Sequence, residues 1–289
     1  MSSASSATHA EDTIALIRHT NQIEDETDSG TSYWSCFKGV NLRRTEVACM
    51  TWAAQIWCGS PLGGTPAYFF TQAGLSASIA FAMSVGGLGL ACIGTIISWL
   101  LIARIGRRTL YVWGLAALFF CMLITGIVAA AAPSSKASSF TQAGFVVLWL
   151  LIYYLTVGPV CYAIVAEVSA VRLRNKSVCL SRIAYYISQV IGNVIQPQMI
   201  NPNAADWHGK TAFFWAGTCA VFFVWAFFRL PEVRYQRVVH ERPLTVVKQT
   251  RDRSYEELDL LFGARIGARK FRKTVVDAYA PEGERIKQE

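Results

Sequence analysis

"AGFVVLWLLIYYLTVGPVCYAIVAEVSAVRLRNKSV" runs from Ala143 to Val178. Up to Ala166 it carries no charge, and then Glu167, Arg172, Arg174 and Lys176 follow in close succession. A hydrocarbon layer of about 30 Å takes about 20 apolar helical residues. The uncharged part is therefore long enough to cross a membrane, and the charged part marks where the chain leaves it. Gly158-Pro159 breaks this span inside the apolar run, because proline has no N–H to continue a helix. A carboxylate at the edge of a membrane is costly unless paired, which makes Arg172 and Arg174 the expected partners of Glu167.

The same pattern repeats outward in both directions. The chain of 289 residues is 53% hydrophobic and 16% charged, against about 25% charged in soluble domains. Between Val47 and Phe228 the acidic residues are Glu167 and Asp206. Six segments reach spanning length: Val47–Phe70, Leu75–Ala103, Leu110–Ala132, Ala143–Val165, Ile183–Ile200 and Thr211–Phe228. The first is interrupted by GSPLGGTP (Gly59–Pro66) and the fifth by Gln196-Pro197. The fold class expected is all-α and integral to the membrane, a six-helix bundle over 47–230 with a segment before it (1–46) and a tail after it (231–289).

The distribution of bases sets the expected orientation. Lys38, Arg43, Arg44, Arg104, Arg107, Arg108, Arg172, Arg174, Lys176 and Arg182 flank the spans on one side, and Lys136 and Lys210 on the other. By the positive-inside rule both termini are expected in the cytoplasm. The net charge of +8 then reflects topology, and a nucleic-acid partner is not expected, because the bases lie in short loops beside spans. The eight cysteines include no C-x-x-C pair and fall mostly inside or beside spans, so neither a disulfide framework nor a metal site is expected. No G-x-S-x-G, P-loop or dinucleotide-binding context occurs, which argues against an enzyme.

Two kinds of candidate functional residue remain. The loop ARIGRRTL places Arg104, Gly106, Arg107 and Arg108 between the second and third spans. In the fifth span Tyr185, Gln189 and Asn193 recur at i, i+4 and i+8, a polar stripe on an apolar helix. Such stripes face a cavity or another helix.

These motifs together resemble a family. R-x-G-R-R after the second span and G-P-x-x-Y…E-V-x-x-x-R-x-R-x-K-S around the fourth resemble the C-terminal half of sugar porters of the major facilitator superfamily. "GTSYWSCFKGVNLRRTE", "EVSAVRLRNKSVCLSRIAYYISQVIGNVIQP" and "YEELDLLF" are similar to fungal maltose/α-glucoside permeases. The resemblance implies two six-helix bundles with sugar bound between them, of which this chain would supply the second. It implies a cytoplasmic charge network of Arg104, Gly106, Arg107, Arg108, Glu167, Arg172 and Arg174 that gates rather than touches sugar. It implies sugar contacts from Gln55, Tyr162, Tyr185, Gln189 and Asn193. Where the family motif has a second Gln and an Asn, Ile56 and Pro61 stand here. The implied function is proton-coupled maltose or α-glucoside uptake at the plasma membrane. No bound cofactor is implied, and the coupling carboxylate would lie in the missing first bundle. A sugar receptor built on the same fold, a self-pairing half-transporter and a non-functional fragment are the alternatives.

The tail departs from the family. After Pro231-Glu232, deleting Val233–Gln249 yields P-E-T-R-D-R-S-Y-E-E-L-D, similar to the family's pattern at this place. The 17 residues removed correspond to an in-frame segment whose codons can carry intron donor, branch and acceptor letters. A translated intron is the expectation, with a genuine tail insertion as the alternative. Beyond it, Ser254 and Glu257 form a capping box that predicts a helix start.

Overall fold

The computed structural model describes residues 32–132, 135–170, 173–201, 203–231, 274–276 and 286–288. Residues 1–31, Arg172, the segment Val233–Gln249 and the capping box at Ser254 lie outside the described residues. A 3-10 turn, Tyr33–Phe37, leads into α1 (Gly39–Trp57), α2 (Ser60–Gly64) and α3 (Pro66–Gln72). Next come α4 (Ala77–Ile105), α5 (Arg107–Ala131), α6 (Lys136–Leu155), α7 (Val157–Val168), α8 (Arg174–Ile200), a 3-10 turn at His208–Lys210, and α9 (Thr211–Arg229). In the tail β1 (Thr274–Val276) and β2 (Ile286–Gln288) pair antiparallel, with Thr274 opposite Gln288, a feature the sequence did not suggest.

Among the described residues, five stretches are long and apolar enough to cross a membrane: Ala77–Ile102, Arg107–Ala131, Lys136–Val168, Arg174–Ile200 and His208–Arg229. The remaining expected span, the first, Val47–Phe70, is divided over α1, α2 and α3. The division follows from its backbone chemistry. Gly59 takes φ +104°, a left-handed conformation that glycine adopts without a side-chain clash. Two residues later Pro61 has no N–H for the carbonyl of Trp57, and the Leu62 N–H turns to Gly59 O at 3.1 Å. The carbonyls left over are taken by side chains of other spans. Thr218 Oγ1 in α9 donates to Trp57 O at 2.7 Å, and Trp149 Nε1 in α6 donates to Cys58 O at 3.2 Å. Broken backbone is tolerated inside a membrane when neighbours satisfy it in this way.

The fourth span is one apolar column made of α6 and α7, offset at Thr156, as Gly158-Pro159 predicted. In the fifth, by contrast, the interruption expected at Gln196-Pro197 does not occur. Pro197 lies in the last turn of α8, which runs on to Ile200, so little helix remains beyond it to be displaced. This helix also begins earlier than expected, at Arg174 rather than Ile183. That shift changes the meaning of Arg182, described below.

The packing centre is formed by α1, which lies against α7, α8 and α9, while α5 packs on α6 and α9 and α4 packs on α6. Trp149, Trp215, Tyr111 and Phe69 are fully buried between them. Small residues let the helices close up. A Cβ on Gly63 would overlap the Trp149 ring, and one on Gly192 would come within 2.8 Å of Pro61 Cγ and 3.1 Å of Ile56. Ile56 and Pro61, the two residues at positions expected to be polar, are thus packed into an apolar seam between the first and fifth spans.

Candidate functional site

α8 has three distinct faces. Ser181, Ser188 and Gly192 are buried in the seam. Ile183, Ile187, Val190, Ile191 and Val194 are exposed on the far side. Between the two lies a polar stripe. At 3.6 residues per turn, Arg182, Tyr186, Gln189 and Asn193 fall within about 60° of arc, with Tyr185 at its edge. Gln189 is half-buried and Asn193 is exposed. The stripe expected from Tyr185, Gln189 and Asn193 is therefore present and accessible, and it extends one turn further, to Arg182.

In the sequence Arg182 is one of the bases flanking the spans. In the structure it stands eight residues inside α8, about 12 Å from the helix start. Its guanidinium lies over the Trp52 ring at 4.0 Å and has Tyr162, Tyr185 and Tyr186 at 5.5, 5.7 and 5.9 Å. The rings also support one another. Trp52 meets Tyr162 edge-on at 4.6 Å and Tyr185 at 5.3 Å. Spans one, four and five thus converge on one cation. An arginine at the centre of a span costs about 2.5–3.5 kcal/mol on insertion scales. A desolvated cation–π contact returns about 2 kcal/mol, so a set of rings of this kind offsets much of the cost. Stacking occupies the flat face of a guanidinium and leaves its N–H edge able to donate to a ligand. Arg182, Trp52 and Tyr186 were not singled out from sequence, although the i, i+3, i+4 spacing of Arg182, Tyr185 and Tyr186 was a signal for them.

Tyr162 and Gln55, both expected at the sugar, occupy different surroundings. Tyr162 is 55% exposed beside the arginine. Gln55 is buried, and its Nε2 donates to the carbonyl of Gly158 at 2.9 Å. That bond ties the first span to the Gly158-Pro159 break of the fourth. Gln55 sits one turn from Trp52, yet one of its amide N–H groups is already committed to the backbone.

Nearer the end of the bundle from which α8 starts, charges tie helices together. Arg107 Nε lies 3.0 Å from Glu167 Oε1, joining α5 to α7. Arg108 donates to the carbonyl of Phe227 at 2.8 Å, joining α5 to the C-terminal end of α9, where a cation is favoured by the helix dipole. The two arginines of the ARIGRRTL loop therefore reach two different helices. Sequence had offered Arg172 and Arg174 to Glu167. Arg172 lies outside the described residues, Arg174 opens α8, and the loop arginine Arg107 is a partner that chain separation concealed. Arg104 and Gly106 close the junction, with Gly106 at φ +93° between α4 and α5. A third tie links the first and last spans. Arg229 reaches both carboxylate oxygens of Glu46, with Nε at 3.1 Å from Oε1, and Trp225 Nε1 joins at 3.3 Å. Burial works against the Glu46 charge, but hydrogen bonds from Arg229 and Trp225, helped by the fields of Arg229 and Arg43, hold its carboxyl below the usual range. The described residues contain no group of three or more His, Cys, Asp or Glu able to hold a metal ion.

This architecture has known counterparts. The family model described as "Sugar (and other) transporter" matches residues 2–240. The chain belongs to the sugar transporter family. Within it, the chain is 37% identical over 249 residues to the general alpha-glucoside permease of Saccharomyces cerevisiae, covering 86% of this chain and 37% of that protein. It is 33% identical over 266 residues to the maltose permease MAL31 of the same yeast, covering 91% of this chain and 40% of that protein. The chain thus spans about two fifths of the length of the curated relatives it matches. Among solved structures, a double-tryptophan mutant of XylE superposes with a TM-score of 0.66 at 17% identity, over 89% of this chain and 49% of that one. XylE bound to 6-bromo-6-deoxy-D-glucose, described as a major facilitator superfamily proton:xylose symporter, superposes with a TM-score of 0.61 at 17% identity, over 78% of this chain and 46% of that one. The chain shares the fold of about one half of these solved structures.

Proposed function

We propose that this chain forms the second six-helix half of an α-glucoside transporter of the maltose-permease type, with both ends in the cytoplasm. The observation that carries the reading is the accessible stripe of Arg182, Tyr186, Gln189 and Asn193 on α8, closed on one side by Trp52 and Tyr162. Aromatic rings present flat apolar faces to the C–H side of a sugar, while arginine, glutamine and asparagine supply hydrogen bonds to its hydroxyls. Ligand sites of transporters lie near the midplane between repeats, and this stripe is on the open side of the half-bundle. Tyr185, at the edge of the stripe, positions Trp52 and Arg182. Gln55 serves the site indirectly, by tying the two broken spans.

Uptake by alternating access needs a second bundle, and proton coupling needs a carboxylate within the membrane. Glu167 stands at the end of α7 and Asp206 in the α8–α9 connection, so we assign the coupling acid to the first half of such a transporter. The network of Arg104, Gly106, Arg107, Arg108, Glu167, Arg172 and Arg174 acts as the cytoplasmic gate. The deciding experiment is radiolabelled maltose uptake in a transport-deficient yeast. The chain alone is expected to give none, and co-expression with the first half of a yeast alpha-glucoside permease is expected to restore it. Proton-driven accumulation by the chain alone would overturn the half-transporter reading.

A further inference from the structure

The polar side chains around the α8 stripe are of two chemical kinds. Gln189 and Asn193 carry amides, and Tyr162, Tyr185 and Tyr186 carry phenols; each of these groups both donates and accepts hydrogen bonds. A guanidinium donates only. Arg182 is therefore the odd member of the set. Trp52 is also donor-only, but it is 2% exposed and its Nε1 is buried, so its N–H is not offered to the open side. Arg182 is half-buried, and among the described residues no hydrogen bond or ion pair engages it. Its N–H groups are left for a ligand.

A glycoside has oxygens of two kinds as well. Its hydroxyls donate and accept, whereas the ring oxygen and the glycosidic oxygen only accept, because neither carries a hydrogen. A hydroxyl taken out of water needs a donor and an acceptor, and a group left unpaired is costly. Amides and phenols meet both needs, and an arginine meets one. The assignment that leaves fewest groups unpaired puts the hydroxyls on Gln189, Asn193 and the tyrosines, and the acceptor-only oxygens on Arg182. Shape agrees with this. The two acceptor-only oxygens share one carbon, as the two oxygens of a carboxylate do, and a guanidinium offers parallel N–H groups in a planar fork suited to such a pair. Trp52, 4.0 Å from the guanidinium carbon, holds the plane of that fork. Tyr162 and Tyr186, both exposed, lie 5.5 and 5.9 Å away, so a pyranose laid with its C–H face on either ring is within reach of the guanidinium.

We propose that Arg182 is a specificity-determining residue that reads the acetal of an α-glucoside, its fork donating to the ring oxygen and the glycosidic oxygen together. This rests on the α-glucoside reading above and adds to it which atoms of the ligand the cation recognises. The amides of Gln189 and Asn193 then read hydroxyls.

The test compares maltose with the analogue in which sulfur replaces the glycosidic oxygen, since a thioether sulfur is a weak acceptor. The full 289-residue chain is co-expressed with the first half of a yeast alpha-glucoside permease, and binding of each radiolabelled sugar to the purified pair is measured in nanodiscs. The ratio of the two dissociation constants is read within each variant, so expression level cancels. In the parent the thio analogue is expected to bind about tenfold more weakly, as befits the loss of a hydrogen bond from a charged donor. Arg182→Met, which keeps the length and removes every N–H, is expected to bring the ratio close to unity. Should that variant fail to assemble with the first half, Arg182→Gln supplies the same measurement. Gln189→Leu is expected to weaken both sugars and retain the tenfold ratio, an outcome that a general loss of packing at Arg182 would share. A ratio unchanged in the Arg182 variants, or a parent indifferent to sulfur, would overturn the proposal and leave the α-glucoside reading standing. A parent pair that binds neither sugar would overturn both.

Discussion

Arg107 and Arg182 are both long cations on the same small bundle, and they are accommodated in opposite ways. Arg107 sits at the membrane boundary and meets a carboxylate, Glu167, at 3.0 Å. Arg182 lies inside a span, where its guanidinium rests on Trp52 and is ringed by three tyrosines. An ion pair commits N–H donors of the guanidinium to a carboxylate. Stacking satisfies its face and keeps the edge available. The first arrangement suits a tie between helices. The second suits a site that has to hold a cation ready in an apolar environment. A carboxylate placed beside Arg182 in the apolar part of the chain would add its own desolvation cost.

The largest test of this contrast is at Arg182. In a transporter completed with a first half, Arg182→Lys should keep the charge yet lose most of the stacking, worth about 2 kcal/mol when desolvated. We expect maltose kcat/KM to fall about thirtyfold, the equivalent of that energy, at equal surface expression. Uptake unchanged by Arg182→Lys would show that the rings merely store a topogenic charge.

Next in size is Gln55, where residues of one chemical type can be separated by role. Gln55→Leu removes the bond to Gly158 O and should cost about 1 kcal/mol of stability, leaving the maltose KM unchanged. Gln189→Leu should do the reverse, raising KM about three- to tenfold with no change in melting temperature. A raised KM for Gln55→Leu at unaltered stability would return Gln55 to the sugar.

At the boundary, Arg107→Gln and Glu167→Gln should each slow transport. The double change should cost less than the sum, with a coupling of about 0.5–3 kcal/mol. Strict additivity would break the pair and throw the weight onto Arg174, which the chain offers to Glu167 from the start of α8.

The smallest effect belongs to the Glu46 tie. Its carboxyl is held below the usual range, so its contribution is complete above the unfolded value of about 4.3. It is lost as the pH falls from there through the folded value. The melting-temperature difference between the parent and Glu46→Gln should therefore be constant near neutrality and shrink in acid. A difference that grew as the pH fell would refute the assignment.

Much of this protein was legible in its sequence. Span number, the breaks at Gly59–Pro66 and Gly158-Pro159, and the stripe of Tyr185, Gln189 and Asn193 depend on local properties. Those properties are apolar length, a proline without an N–H, and the 3.6-residue repeat of a helix, which neighbours in the chain determine among themselves. The exception among the breaks, Pro197, shows the limit, because its effect depended on how much helix remained beyond it. What only the tertiary structure decided were the partners. Glu167 with Arg107, Glu46 with Arg229, Gln55 with Gly158, Thr218 with Trp57, and Arg182 with Trp52 and Tyr162 all join different helices. Each pairing depends on which helices pack side by side, and on the rotation of each about its own axis. A side chain that local chemistry marks only as cationic or amide-bearing enters an ion pair, a backbone clamp or a ring of aromatic side chains according to what that packing brings within about 3–6 Å of it.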